Sequence, residues 1–407
     1  MSPIPHIRVL SGVLLLAALG SLCAKAQDGR EIKHVFVIAE ENHNWTQPET
    51  LTNGIQQIFQ NPNAPFINSL VNGTAVAFIN GRQVNISEHV AYATAYHNVL
   101  ATPSGNNPHI HPSEPNYFWA EGGTNYGVFN DHDPYASSGP TVQTTTQHLS
   151  SLLEKRGRTW KSYQEDIDLT TVNGQLVNLP LPRDQWTVPL SSSSGIFGPG
   201  DYLNAYNDSN QYNYAPKHNP QVLFADTDGG DNTTPSNPMA GHYAPLQQLA
   251  FDLADNRVAD YNWITPDQYN DMHSGLTNGF AGVTGDGAQI LAGDNALSRL
   301  VPMIMASRAY EDGGVIILWW DEAESDGAPN DNADDFNHTI GEIVISNLAR
   351  ANEGGLPYAS ALDMTHSSDL KTMEEIFHLR PLLGDAATPG TNDLSDLFEP
   401  GVIPSHP

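Results

Sequence analysis

Val315-Ile-Ile-Leu-Trp-Trp320 runs without a polar break into Asp321-Glu322. Six apolar residues with no alternation predict a strand buried on both faces, as in a parallel sheet. Three more short apolar runs share this character: Val35-Phe-Val-Ile38, Tyr261-Asn-Trp-Ile264 and Glu342-Ile-Val-Ile345. Helical patterns fall between them. Thr145 to Lys155 carries Leu149, Leu152 and Leu153; Tyr243 to Ala254 carries Leu246, Leu249 and Leu253; Ser367 to His378 carries Leu370, Met373, Ile376 and Phe377. Strands alternating with helices predict a doubly wound α/β fold, with a largely parallel central sheet flanked by helices. Residues 168–240 and Ser325 to Asn337 are rich in Asn, Pro, Ser, Asp and Gly and are expected to be loops, the first capping or shaping a pocket. No linker marks a second domain, so residues 27–407 are expected to form a single large one.

The N-terminus has the pattern of a secretory leader. Arg8 precedes an apolar run from Val9 to Leu22, and Ala24-Lys-Ala26 offers a small-x-small cleavage site. The run is too short and too soon followed by Asp28-Gly-Arg-Glu to predict a membrane anchor. Cleavage after Ala26 would remove Cys23, the only cysteine, and leave a secreted or periplasmic chain of about 380 residues with no disulfide. Its stability must then come from a core, which that length can bury. The formal charge of −29 becomes −31 once Arg8 and Lys25 are lost. Such a surface repels polyanions, which excludes non-specific nucleic-acid binding and disfavours anionic membranes.

Ligands of open α/β sheets bind beyond the carboxyl ends of the strands, and three of the predicted strands end in metal-ligand chemistry. Val35–Ala39 runs into Glu40-Glu41-Asn42. Trp263-Ile-Thr265 runs into Pro266-Asp267, with Asp271 and His273 following. Trp320 runs into Asp321-Glu322. Carboxylate, amide and imidazole suit Zn, Mg, Mn, Ca or Fe ions, and thiolate sites are excluded. Singly, each cluster also reads as a set of helix caps. A fourth segment, His111-Pro-Ser-Glu-Pro-Asn-Tyr117, clamps Ser113 between two prolines. It is expected to form a rigid turn far from any helix cap, and so to present a nucleophile; a Pro-rich surface turn with a capping serine is the alternative. A hydroxyl beside metal ligands suits phosphoryl transfer to serine followed by hydrolysis.

Taken together, these segments resemble the secreted phosphoesterase family of acid phosphatases and bacterial phospholipases C, within the alkaline-phosphatase superfamily. Lys33–Asn42 resembles its opening strand and Glu-Asn pair, and His111–Tyr117 with Gly122-Gly123 its "HPSxPNY…G" nucleophile segment. Thr159–Glu165 resembles "TWxxYxE", Tyr214–Pro220 "YxxKHNP", Pro266–His273 "PDxxxDxH" and Trp320–Glu322 "WDE". Thr365-His366-Ser-Ser with Glu374–Phe377 resembles its closing segment. The resemblance implies an alkaline-phosphatase-like fold and Ser113 as the nucleophile that becomes phosphoserine. Asn116 would lie close by, with Glu41, Asn42, Asp321 and Glu322 on the activating metal. It implies Asp267 and His273 on a second metal or the leaving group, with Asp271, His338 or His366 as further members of that set. Lys217 and His218 would contact phosphate or protonate the leaving group, and His111 would flank the nucleophile or pack the turn.

The reading is a secreted, metal-dependent phosphomonoesterase acting on small phosphate esters through phosphoserine. Family phospholipases C usually carry a longer C-terminal part, and this chain ends at Pro407, which places it nearer the acid-phosphatase branch. The alternatives are a phospholipase C cleaving phosphodiester headgroups and a non-catalytic, cation-binding secreted protein.

Overall fold

The computed structural model describes residues 31–47, 56–98, 112–198, 200, 203–323, 339–352 and 354–404. The expected leader and the loop Ser325–Asn337 lie outside them, as do His111 and His338. Eight strands build the central sheet: β1 (His34–Glu40), β2 (Val90–Ala93), β3 (Trp160–Gln164), β4 (Tyr243–Pro245), β5 (Tyr261–Thr265), β6 (Gly314–Trp320), β7 (Glu342–Ser346) and β8 (Tyr358–Ser360). Their spatial order is β4-β3-β5-β1-β6-β7-β2-β8. Only β7 runs against the rest, so the sheet is largely parallel, as expected. β1 lies at its centre with Val35, Phe36, Ile38 and Ala39 fully buried. β6 is buried along its whole length, which explains its lack of alternation.

The principal helices are α1 (Pro65–Asn72), α2 (Glu114–Gly122), α3 (Leu149–Lys155), α4 (Gln247–Ala254), α5 (Asp286–Met305) and α6 (His366–Ile376). They cover both faces of the sheet. Val37, Trp263 and Trp319 share a small apolar space with Ala120 of α2 and Leu370 and Met373 of α6. The opposite face carries Glu40 and meets α5, where a Cβ on Gly293 would collide with Met272 and the Glu40 carboxylate. Glycine is what lets α5 approach there.

Tertiary contacts moved several expected boundaries. Tyr243–Pro245 is an edge strand paired with β3, and the helix starts only at Gln247. α3 starts at Leu149 and not at Thr145, because its cap comes from elsewhere: the Glu121 carboxylate accepts from Ser150 N and Oγ, each at 2.9 Å. α1 has Ala64 at its N-cap position and borrows the Asp294 carboxylate of α5, which accepts from Phe66 N at 3.0 Å and Ile67 N at 2.8 Å. The stretch 168–240 is not one loop. It contains the hairpin Leu169–Val172/Gln175–Pro180, turned by Asn173-Gly174 at φ 52° and 80°, and the hairpin Ser193–Ile196/Gln211–Tyr214. Asn-Gly with two positive φ angles is the turn that a right-twisted hairpin favours.

α2 is anchored at its C-terminal end by an ion triad whose His148 and Glu121 are buried and whose Asp226 reaches solvent. His148 Nδ1 lies 3.0 Å from Glu121 Oε2, and its Nε2 lies 2.9 Å from Asp226 Oδ1. Its ring stacks on Phe224 with centroids 3.9 Å apart. Burial opposes the imidazolium, but the hydrogen bonds and charges of Asp226 and Glu121 outweigh it and raise the His148 pKa. Burial likewise opposes the Asp226 charge, but His148 overcomes it and lowers that carboxyl. Stability from the raised imidazole is full below about pH 6.5 and is lost as pH rises through its folded pKa. Stability from the lowered carboxylate is present above about pH 4 and is lost as pH falls through its folded pKa. His148→Gln is therefore expected to lower Tm most between about pH 4 and 6.5, and less as pH rises further. Thermal unfolding of both proteins from pH 4 to 8 checks this; a pH-independent difference would refute it.

Candidate active site

Glu40 and Trp320 are register partners, so β1 and β6 end level and release Glu41 and Asp321 side by side. The chain is locked there by backbone bonds: Asp321 N donates to Glu40 O at 3.2 Å and Glu41 N to Asp271 O at 2.7 Å. Asn42 takes φ 49°, and its N–H donates to Asp321 Oδ1 at 3.2 Å. Met272, between Asp271 and His273, is held at φ 77° with its side chain buried. A non-glycine residue in this region stores strain, which persists when the surroundings demand it.

Ser113 occupies the N-cap position of α2, with φ −59° and ψ −46°, and is not far from a helix cap as the prolines suggested. Yet its side chain caps nothing. Its Oγ instead donates toward Glu41 Oε2 at 3.0 Å and Glu322 Oε1 at 3.1 Å. Pro115 supplies the preset φ of a first helical turn. The hydroxyl thus sits at the positive end of a helix between two carboxylates. Asn116 Nδ2 donates to Glu322 Oε2 at 3.0 Å, and the Tyr117 hydroxyl donates to Glu41 Oε1.

On the other side of Glu41 stand two imidazoles. Ligand atoms of Glu41, His218 and His273 all lie within 4.8 Å of one another, so these three could hold a metal ion. His218 is placed by its backbone, whose carbonyl accepts from Thr265 Oγ1 at 2.9 Å, and by Tyr117, which stacks on its ring. Its Nε2 lies 3.2 Å from Glu41 Oε1 and its Nδ1 lies 3.3 Å from Asp271 Oδ2. Lys217 Nζ donates to Asp131 Oδ2 at 2.8 Å and lies 3.5 Å from His273 Nε2.

The electrostatics call for a cation. Burial, then Asp321 and Asp271, push Glu41 well above the usual carboxylate range. Burial, with Asp321, does the same to Asp271. Burial and then Lys217 lower His218 and take His273 down to about 4, so both imidazoles are neutral and have a lone pair to give. Burial opposes the Lys217 ammonium, but Asp131 and Glu41 outweigh it and raise its pKa. Asn42 Oδ1, Asp271 Oδ2 and His218 Nε2 are buried without a hydrogen-bond partner. Orphaned oxygens and nitrogens beside crowded carboxylates are what a divalent ion satisfies.

The expected residues thus meet for the most part. Ser113, Asn116, Glu41, Asn42, Asp321 and Glu322 form one side, and His218, His273, Asp271 and Lys217 the other. Two are engaged in contacts of their own. Asp267 Oδ1 caps a turn, accepting from Tyr269 N at 3.1 Å and Asn270 N at 2.9 Å. Burial and then Glu165 and Asp166 push it well up, and Asp166 itself is pushed up to about 8 by burial and Glu165. His366 is engaged on both ring nitrogens. Its Nε2 lies 2.6 Å from Asp321 O, and its Nδ1 is met by Tyr96 Oη at 2.8 Å and Trp319 Nε1 at 3.0 Å. It braces the Asp321 backbone from behind. Tyr117 and Asp131 were missed: Tyr117 stood in the nucleophile segment four residues after Ser113, whereas nothing in the sequence marks Asp131.

The family model described as "Phosphoesterase family" matches residues 104–380. Among curated proteins, a probable acid phosphatase of Kluyveromyces lactis is 25% identical over 242 residues, covering 58% of this chain and 44% of that protein. A phosphate-repressible acid phosphatase of Penicillium chrysogenum is 24% identical over 220 residues, covering 54% and 40%. The chain spans less than half the length of these relatives. Among solved structures, the phosphonate monoester hydrolase of Silicibacter pomeroyi aligns over 93% of this chain and 78% of its own, at 10% identity and a TM-score of 0.40. Among the described residues, no helix is long and apolar enough to cross a membrane.

Titrating Zn, Mg, Mn, Ca and Fe ions into chelated protein is expected to raise Tm with at least one of them. A cation at a hundred times its Kd adds about 2.7 kcal/mol. Glu41→Gln, which removes one of the crowded charges, is expected to unfold later than wild type when chelated and to lose the cation response. A wild-type Tm indifferent to every cation would refute the cation site.

Proposed function

Because the chain belongs to the phosphoesterase family, we propose that it is a secreted, metal-dependent phosphomonoesterase working through a phosphoserine. One observation carries this reading: the Ser113 hydroxyl forgoes its helix cap and lies between Glu41 and Glu322. The names of the acid-phosphatase relatives favour a monoester substrate. The leader pattern before Gln27 supports export.

Glu41, Asn42, Ser113, Asp321 and Glu322 would hold one cation, with His218, His273 and Asp271 available for a second. A divalent ion there lowers the pKa of a bound hydroxyl and offsets charge gathering on phosphoryl oxygens. The chain's own groups do the rest. Glu41 or Glu322 accepts the Ser113 proton as Oγ attacks phosphorus. The Oγ–P bond forms while the ester P–O bond breaks, and the departing oxygen takes a proton from the Lys217 ammonium. Water then attacks the phosphoserine and gives a proton back to Lys217, while the Oγ–P bond breaks and the carboxyl returns its proton to Oγ, so that ester and water yield alcohol and phosphate. The α2 N-terminus favours the negative charge throughout. Asn116 can turn its amide from Glu322 to a phosphoryl oxygen.

Ser113→Ala is expected to cut kcat on a chromogenic aryl phosphate at least about a thousandfold while leaving Tm within a few degrees. Near-wild-type turnover would refute the phosphoserine route. Measured alongside, phosphatidylcholine should be the poorer substrate; a faster rate on it would move the assignment to a phospholipase C.

A further inference from the structure

Lys217 faces a physical difficulty that the proposed reaction alone does not resolve. Its ammonium lies within electrostatic reach of Glu41, Glu322 and Asp271, carboxylates that would hold the cation. Left to itself, a flexible four-carbon side chain would fold onto the nearest of them, satisfying with its own charge the groups a divalent ion needs. It does not. Its Nζ is drawn instead to Asp131 Oδ2, at 2.8 Å, in an ion pair whose side chains are only 15% and 29% exposed. The other oxygen of the same carboxylate accepts from Glu114 N at 3.0 Å. That amide opens α2 directly after Ser113, and the next residue, Pro115, has no N–H to offer. Asp131 therefore ties two things with its two oxygens: the first free amide of the nucleophile helix and the ammonium that lies 3.5 Å from His273.

We infer that Asp131 is a positioning residue, which fixes the Lys217 ammonium relative to Ser113 and keeps it off the carboxylates reserved for the cation. Held so, the ammonium lies between the nucleophile helix and the His273 side, where an oxygen of the bound phosphate ester would meet it. This inference rests on the phosphoesterase reading. It adds a residue that no motif of the chain marks and gives Lys217 its geometry.

Asp131→Asn separates the two ties. The amide oxygen can still accept from Glu114 N, so the helix start is kept, while the charge that holds Lys217 is gone. With the cation-loaded protein, D131N is expected to lower kcat/KM for an aryl phosphate about tenfold and to weaken inorganic phosphate binding by calorimetry to a similar degree, with Tm little changed. In a Lys217→Met background, adding D131N should change both by less than about twofold, because its target is already absent. Effects that multiply in the double variant, or a D131N protein equal to wild type in both readouts, would overturn the inference and leave the phosphoesterase reading standing. A wild-type protein that neither binds phosphate nor turns over the ester would bring down that reading and this inference together. Binding that depends on Asp131 without turnover would keep Asp131 in its positioning role.

Discussion

Four carboxylates gathered at the ends of β1, β5 and β6 set the terms for the rest of the molecule. Glu41, Asp271, Asp321 and Glu322 are all buried; Asp321, Asp271 and Glu322 raise the proton affinity of Glu41, and Asp321 that of Asp271. Like charges about 4 Å apart cost on the order of 4 kcal/mol a pair at an effective dielectric near 20. One ammonium cannot offset that, and Lys217 already spends part of its charge on Asp131. The cluster must either keep protons or bind a cation. Crowding buried carboxylates in this way costs stability, a cost that functional sites commonly carry.

The surrounding fold supplies the rigidity such a cluster needs. β1 and β6 end level, so their next residues start from one line. Asn42 and Met272 turn with positive φ to bring their neighbours inward, and Gly293 on α5 leaves room for the Met272 side chain. His366 braces the Asp321 carbonyl, and Tyr117 holds Glu41 while stacking on His218. α2, which carries Ser113 at one end, is pinned at the other by Glu121 and His148. Ser113 is thus carried on a helix held at both ends.

Much of this was legible before any coordinates. Short runs dominated by apolar residues marked β1, β5, β6 and β7, because a strand covered on both faces has no reason to alternate. Acidic and amide residues straight after three of them marked where polar groups gather at the strand ends. The short outer strands β2, β4 and β8 left no such trace, since three or four residues carry too little pattern. α5 was hidden as well: Gly287, Gly293 and Asp294 make it look like a loop, yet each answers to a neighbour, Gly287 to Asn63, Gly293 to Met272 and Asp294 to the start of α1. Asp267 and His366 sat in the right motifs, but the motif could not say which way their side chains turn.

The amino-acid sequence by itself determined the largely parallel sheet, the Pro-clamped Ser113 segment and the chemical types at the strand ends. These follow from local hydrophobic pattern and from which residues can ligate or attack. Tertiary structure alone decided that Ser113 sits at a helix start and yet turns its hydroxyl to Glu41 and Glu322, because a capping serine and a nucleophilic one look alike until the groups within 3 Å are known. It alone joined Asp131 to Lys217, 86 residues apart, and set His366 behind Asp321, 45 residues apart. Contacts at such separation depend on how the sheet orders its strands, and no local pattern encodes that.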